Sequence, residues 1–266
     1  MANGLVQPVS DTPNLRLRGA AILVIGDEIL SGRTQDTNTG YIARWLGQLG
    51  IPVREARTVS DIEAEIVAAV RALSARYDYV FTTGGIGPTH DDITADSMAR
   101  AFETGIDYHP IAFAELAARY TASQIGQFNE ARQRMARVPF GAALVRNKMS
   151  VAPGFQIGNV FVMAGIPAVM QAMLEDIRPR LVAGTKLTSR TFSVYLGEGR
   201  IAKGLASVQK QFPDVPLGSY PFMREGKYGT SLVARGKDDE RLAAASEALK
   251  LMILEAGGEP IEGDPV

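Results

Sequence analysis

An alternation of short apolar runs with one-faced helical patterns across residues 20–83 constrains the fold of this chain more than any other feature. Ala20 to Ile25 (AAILVI) is apolar throughout and ends at Gly26, which predicts a strand buried on both faces. From Thr37 to Leu49, the residues Tyr41, Ile42, Trp45, Leu46 and Leu49 recur on a three-four spacing and predict a helix closed by Gly50. Trp45 lies on that stripe and is expected in the core. The pattern repeats with Val53 to Val59 as a strand, Ile62 to Ala75 as a helix and Tyr79 to Thr83 as a strand. Strands and helices alternating at this spacing imply right-handed crossovers and a mostly parallel sheet covered on both faces. In such a sheet, ligands bind at the carboxyl ends of the strands. Three polar loops, after Ile25, Val59 and Thr83, leave those ends.

Elsewhere the signals are sparser. Residues 1–18 mix Asn3, Gly4, Pro8, Pro13 and Asn14 without periodicity and read as a disordered or loosely attached tail. Residues 111–137 read as helical, with Ile111, Leu116, Tyr120, Ile125 and Phe128 as apolar positions. Arg119, Arg132, Arg134 and Arg137 give that segment a basic side, expected to be a solvated helix face, with phosphate steering as the alternative. Val160 to Ala164 predicts another buried strand, leading through Gly165 and Pro167 into a helix that ends near Pro179. After a polar stretch at 184–190, Thr191 to Leu196 and Ser231 to Ala234 read as strands, and 200–210 and 238–256 as helices. The expected organisation is a tail over 1–18, a large α/β domain over 19–182 and a small α/β domain over 188–266.

Composition excludes several chemistries. The chain has no cysteine, which removes disulfide frameworks, thiolate nucleophiles and Cys-based metal centres. His90 and His109 are its two histidines, too few for a multi-histidine zinc site, so any metal must be held mainly by oxygen. That favours magnesium-like chemistry, with manganese or cobalt as alternatives. With 28 basic against 29 acidic residues, nothing steers the chain towards nucleic acid or an anionic membrane surface. No apolar stretch approaches the ~18 residues of a spanning helix, and the first residues lack a signal-peptide pattern. A soluble, cytoplasmic protein is the expectation.

The richest segment is TTGGIGPTHDDIT, residues 82–94, where a strand opens onto Gly84, Gly85 and Gly87 before a helix beginning near Thr94. Such glycines let backbone N–H groups approach an anion closely, and the helix start adds donors and a positive dipole end. Asp91 and Asp92 follow at once. Two carboxylates beside a phosphate repel it, so a phosphate there favours a bridging divalent cation or a proton-transfer task. Capping accounts for one of the pair but not for both. Asp61 opens the helix after the second strand, where it reads equally as a helix cap or a site acid, and Asp27 and Glu28 follow the first. Together Asp27, Asp61, Asp91 and Asp92 are expected to wall a phosphate-sized pocket. Thr83 and Thr89 are candidate hydroxyl donors. His90 is either a proton shuttle or metal ligand, or a solvated loop histidine.

The loop GGIGPTHDDIT, with GDEILSGRTQDTN at 26–38 and TVSD at 58–61, resembles the molybdopterin-binding MogA/MoaB-like family. The nearest branch comprises the amino-terminal domain of competence/damage-inducible protein A (CinA) and the molybdopterin-binding-like domain of FAD synthases. NKMSVAPGF at 147–155 and FVMAGIPAVM at 161–170 fit the same branch, and the residues after 188 resemble the small domain that follows in CinA-type chains. The resemblance implies a three-layer α/β/α domain binding a pterin or nucleotide phosphate at Thr83, Gly84, Gly85, Gly87 and Thr89, with Asp27, Ser31 and Asn38 on the neighbouring loop. It implies catalytic roles for Asp61, Asp91 and Asp92, metal ligation by Asp27, Asp91 and Asp92, and assembly as a dimer or trimer. In the CinA and FAD synthase branch the domain is associated with divalent-metal-dependent hydrolysis of ADP-ribose or FAD. The expected function is thus a nucleotide pyrophosphatase. The alternatives are a molybdopterin- or nucleotide-binding protein without turnover, or a molybdopterin adenylyltransferase. Where CinA-type chains usually carry Asn-x-x-Gln, this chain has Arg132 and Met135, and the added arginines suit a more anionic ligand. The 266 residues contain neither an amidase nor a nucleotidyltransferase domain, so nucleotide deamidation and FAD synthesis are not expected.

Overall fold

The structure, a computed structural model, describes residues 17–123 and 127–264. Residues 1–16 of the expected tail, and Ile125, lie outside the described residues. In chain order the first part runs β1 (Leu17–Ile25), α1 (Asp27–Leu30), α2 (Asn38–Gln48), β2 (Val53–Val59), α3 (Glu63–Arg76), β3 (Tyr77–Thr83), α4 (Thr94–Ala101) and β4 (Ile106–Tyr108). It continues with α5 (Pro110–Ser123), α6 (Glu130–Arg134), β5 (Arg137–Pro139), β6 (Ala143–Val145), β7 (Gly154–Ile157), β8 (Val160–Met163) and α7 (Pro167–Ile177). Then come β9 (Thr188–Val194), α8 (Glu198–Gln211), β10 (Leu217–Arg224), β11 (Lys227–Gly236), α9 (Asp239–Glu255) and β12 (Ile261–Glu262). The chain divides into two compact units, one built from residues up to Gly47 with Ile51–Ala183, the other from Gln48–Gly50 with Gly184 onward.

The first unit is built on a six-stranded sheet in the order β2-β1-β3-β8-β7-β6. The pairs β1 with β2, β1 with β3 and β3 with β8 are parallel; β7 and β6 close the far edge antiparallel. Central β1 is buried on both faces, as its unbroken apolar run requires: Ala20 to Ile25 are at most 4% exposed. Edge strand β2 alternates between exposed and half-buried positions. On one face, Ala21, Leu23 and Ile25 pack against Ile66, Ala69, Val70 and Leu73 of α3 and Met98 of α4. Glu63 and Glu65 in the first turn of α3 and Arg76 in its last complement the helix dipole. On the other face, Trp45 of α2 sets its ring edge against Phe81, 6.5 Å between centroids, and its Nε1 donates to Glu175 of α7 at 3.3 Å. Phe81 stacks on its register partner Phe161 at 5.1 Å. Helices on both faces of a mostly parallel sheet make a three-layer α/β/α unit.

One expectation is corrected. Residues 111–137 are not one helix: α5 ends at Ser123, Asn129 caps the separate α6 by accepting from the Arg132 amide at 3.1 Å, and Arg137–Pro139 is a strand paired antiparallel with β4. Pro139 explains the strand, since it forces Val138 towards extended backbone and brings no N–H of its own. Arg137 therefore sits on a strand and is not part of a helix face. The helix from Pro167 stops at Ile177, and Arg178–Arg180 forms a single 3-10 turn around Pro179.

The second unit holds a four-stranded antiparallel sheet, β10-β11-β9-β12, with α8 and α9. Phe192, Val194, Leu232 and Ala234 of the sheet share a core with Ile201 and Val208 of α8 and with Leu242, Leu249 and Ile253 of α9. Asp238 caps α9 through the amides of Glu240 and Arg241, both at 3.0 Å. Strand β10 was not legible beforehand, because Gly218 and Pro221 interrupt its pattern. As an edge strand it tolerates a proline. Its hairpin to β11 turns at Glu225 and Gly226, both with positive φ.

Candidate active site

The carboxyl ends of β1, β2, β3 and β8 place four loops together, and backbone bonds tie them. Gly26 N donates to Val59 O at 3.1 Å, Gly84 N donates to Met163 O at 3.2 Å, and Thr94 N donates to Gly85 O at 3.0 Å. Thr94 Oγ1 also donates to Gly84 O at 3.0 Å, folding the start of α4 back onto the glycine loop. Only glycine fits here. At Gly84, where φ is +105°, a Cβ would fall 2.0 Å from Ile25 O; at Gly85, φ +67°, it would fall 2.2 Å from Thr94 Oγ1. The result is a turn whose next three amides, on Gly85, Ile86 and Gly87, donate to no protein acceptor among the described residues. Consecutive free N–H groups in a glycine turn form an anion-binding nest.

Carboxylates sit on the loops that leave the same strand ends. Asp61 Oδ2 accepts from the Asp27 amide at 2.9 Å, joining the loops after β1 and β2. Burial pushes the Asp61 carboxyl above its usual range; the Asp27 amide opposes this, and the carboxylates of Asp27, Glu28 and Asp91 add to the rise. Asp91 is exposed, and the Thr89 hydroxyl is the main influence holding its carboxyl below the usual range. His90 is 97% exposed with Nδ1 4.0 Å from Asp91 Oδ1, a solvated loop position. Asp92 turns the other way: its Oδ2 accepts from the amide and hydroxyl of Thr89, at 2.8 and 2.5 Å, and closes the loop on itself. Asp92 also lies against Gly87, where a Cβ would fall 2.6 Å from Oδ2.

Two recesses flank the glycine turn. One, of about 70 Å³, is lined by Glu28, Thr34, Asn38, Thr83, Gly84 and Gly165. Asn38 is buried in its wall, where Nδ2 donates to Gly165 O at 2.7 Å and Oδ1 has no partner. Asp36 fixes the start of α2 by accepting from the amides of Asn38 and Thr39 at 2.9 and 3.1 Å. The other recess is lined by Gly85, Gly87, Asp92, Asp96, Arg134 and Arg137. There Arg137 makes a bidentate pair with Asp96 at 2.7 and 2.9 Å, clamping β5 to α4.

The structure thus brings Thr83, Gly84 and Asn38 to one recess, Gly85, Gly87 and Asp92 to the other, and Asp27 and Asp61 into contact, with Asp91 close enough to act on Asp61. Ser31 lines neither recess; its hydroxyl donates to Glu28 O at 3.3 Å. Thr89 faces Asp92 and serves the turn. Asp27, Asp91 and Asp92, expected to share a metal, do not form one ligand set. Among the described residues no group of three or more His, Cys, Asp or Glu is arranged to hold an ion, and Asp92 is turned onto Thr89. Sequence reasoning missed Thr34 and Asp96. It also read Arg134 as a solvated helix face, because periodicity does not tell which side of a short helix meets the glycine loop.

A family model described as "Probable molybdopterin binding domain" matches residues 21–183, and one described as "FAD synthase, middle domain" matches 186–257. The chain belongs to the molybdopterin-binding domain family. Within this family, a protein of Archaeoglobus fulgidus is 35% identical over 84% of this chain and 93% of its own length. A probable FAD synthase of Caenorhabditis elegans is 30% identical over 91% of this chain, and a CinA-like protein of Syntrophotalea carbinolica is 38% identical over 60%. The chain spans about half of that FAD synthase, 51%, and 40% of the CinA-like protein. The solved structure of CinA from Thermoplasma acidophilum superimposes with a TM-score of 0.58 at 30% identity, covering 62% of this chain and 98% of the other. The molybdopterin-binding fold and the FAD synthase-like second unit are therefore features of this chain. No helix among the described residues is long and apolar enough to cross a membrane.

Proposed function

We propose that the chain hydrolyses the phosphoanhydride bond of a dinucleotide such as ADP-ribose or FAD, assisted by a divalent cation. The observation that carries this reading is the set of three free amides, Gly85 to Gly87, at the carboxyl ends of the strands, where the loops after β1 and β2 are joined by the bond from the Asp27 amide to Asp61. The amides hold a phosphate by its oxygens, as backbone donors do at glycine turns. Asp61 has one oxygen fixed by the Asp27 amide and the other free, and a raised pKa suits it to take a proton from water. Water oxygen then bonds to one phosphorus, the bridging P–O bond breaks, and two phosphate monoesters leave. The proton passes to Asp61 and then to solvent.

No three carboxylates among the described residues are arranged to hold an ion, so a magnesium-like cation would be held chiefly by the substrate's own phosphate oxygens, with Asp27 and Asp61 as candidate protein ligands. Bound in that way, it would supply polarisation of the phosphoryl oxygens. The similarity to a probable FAD synthase supports a nucleotide of this kind. Binding without turnover is the second reading, favoured by the engagement of Asp92 in its own turn.

The test is turnover of ADP-ribose and FAD with magnesium, manganese or cobalt, followed by phosphorus NMR beside Asp61→Asn. Metal-dependent release of monophosphates, lost by at least a hundredfold in the variant, is the expected result. Micromolar binding with no turnover of either compound moves the assignment to the binding protein.

A further inference from the structure

The two recesses beside the glycine turn differ in charge. The one under Asn38 is walled by Glu28 and Asp36 and by no basic side chain. The other carries Arg134 and Arg137 beside Asp92 and Asp96. Those four charges are not free to the same degree. Arg137 is spent on Asp96 in a bidentate pair, and Asp92 is held by two donors from Thr89. Arg134, half-buried at the end of α6, has no ion pair or hydrogen-bond partner among the described residues, yet it lines the recess with Gly85, Ile86 and Gly87. A half-buried guanidinium lining one recess with three amides is a set of donors without hydrogen-bond acceptors, with the Asp92 carboxylate, engaged by Thr89, lying against Gly87.

We infer that Arg134 reads a second phosphate and restricts the site to ligands that carry a pyrophosphate rather than a single phosphate. This rests on the proposed reading of the glycine turn as the holder of the first phosphate. The amides of Gly85 to Gly87 engage one phosphate, and the guanidinium engages the next, with the planar, forked donor geometry that suits phosphate oxygens. The bidentate pair to Asp96 holds Arg137 and β5 in place and so positions the strap from which Arg134 projects. A monophosphate on the amides leaves Arg134 unsatisfied. The chemical class selected is a nucleoside diphosphate or a dinucleotide joined by a pyrophosphate.

Isothermal titration of ADP and of AMP against the wild-type chain, Arg134→Ala and Arg134→Lys tests this directly. The wild type is expected to prefer ADP to AMP by at least tenfold. Arg134→Ala should weaken ADP by about tenfold while leaving AMP within twofold, and Arg134→Lys should recover part of the loss. Equal weakening of both ligands, an unchanged ADP affinity, or a wild type that binds neither or prefers neither overturns the inference. Turnover of ADP-ribose and FAD is measured on the same proteins. A wild type that discriminates ADP from AMP without hydrolysis refutes only the hydrolase reading, whereas hydrolysis with no such discrimination refutes only the role of Arg134.

Discussion

Replacing Gly85 with alanine separates two costs that the glycine loop imposes. The first is conformational: at φ +67° a side chain enters the left-handed region, at about 1–2 kcal/mol. The second is steric. The new Cβ would stand 2.2 Å from Thr94 Oγ1 and 3.2 Å from Thr94 Cβ, and Thr94 cannot retreat without giving up its 3.0 Å bond to Gly84 O. Leaving that buried carbonyl unsatisfied costs a further ~1–3 kcal/mol. The total, about 2–5 kcal/mol, lowers Tm by roughly 5–15 °C in a domain of this size. Gly141 supplies the control: it has φ +80° with nothing within 4 Å of the site of a Cβ, so Gly141→Ala bears only the conformational part, about 1–2 kcal/mol. Calorimetry and urea unfolding of both variants measure the difference. If Gly85→Ala is no less stable than Gly141→Ala, Thr94 does not pin the glycine turn and the loop is not built as described.

Titration gives two predictions of opposite sign. Asp61 has a folded-state pKa raised by burial and by Asp27, Glu28 and Asp91, so stability falls as pH rises from 3.8 through its folded value. Asp61→Asn keeps an acceptor for the Asp27 amide, and its stability relative to wild type should therefore grow across that interval in urea unfolding at stepped pH. Asp214 is held down to about 2 by Arg241, which bonds it at 2.6 and 2.9 Å, so its contribution is complete above 3.8 and is lost as pH falls towards 2. Acid unfolding of Asp214→Asn should show a shallower loss of stability between about pH 4 and 2. In the core, Leu73→Ala removes the fully buried contact of α3 with β1 and should cost about 2–5 kcal/mol by urea unfolding.

Residues whose role is local were legible in advance. The unbroken run Ala20 to Ile25 announced a central strand, Trp45 announced its own burial, and Gly84, Gly85 and Gly87 announced a tight strand-to-helix turn, because each signal depends on neighbours in the chain. What depended on partners distant in sequence was not. Asp91 and Asp92 look alike as adjacent carboxylates, and only the fold shows that Asp92 accepts the amide and hydroxyl of Thr89 while Asp91 stays exposed. Arg134 and Arg137 shared an apparent helix face until Pro139 placed Arg137 on a strand and Asp96 neutralised it. The short strands β6 and β7 escaped notice for a related reason: four residues or fewer of mixed pattern acquire meaning only through the antiparallel edge they complete.

The central claim is that the glycine-turn amides hold the ligand phosphate, and backbone NMR during an ADP-ribose titration tests it most directly. The amide signals of Gly85, Ile86 and Gly87 should move furthest, in a saturable way and with one common Kd. Saturable binding that leaves those three signals in place and moves others instead would contradict it.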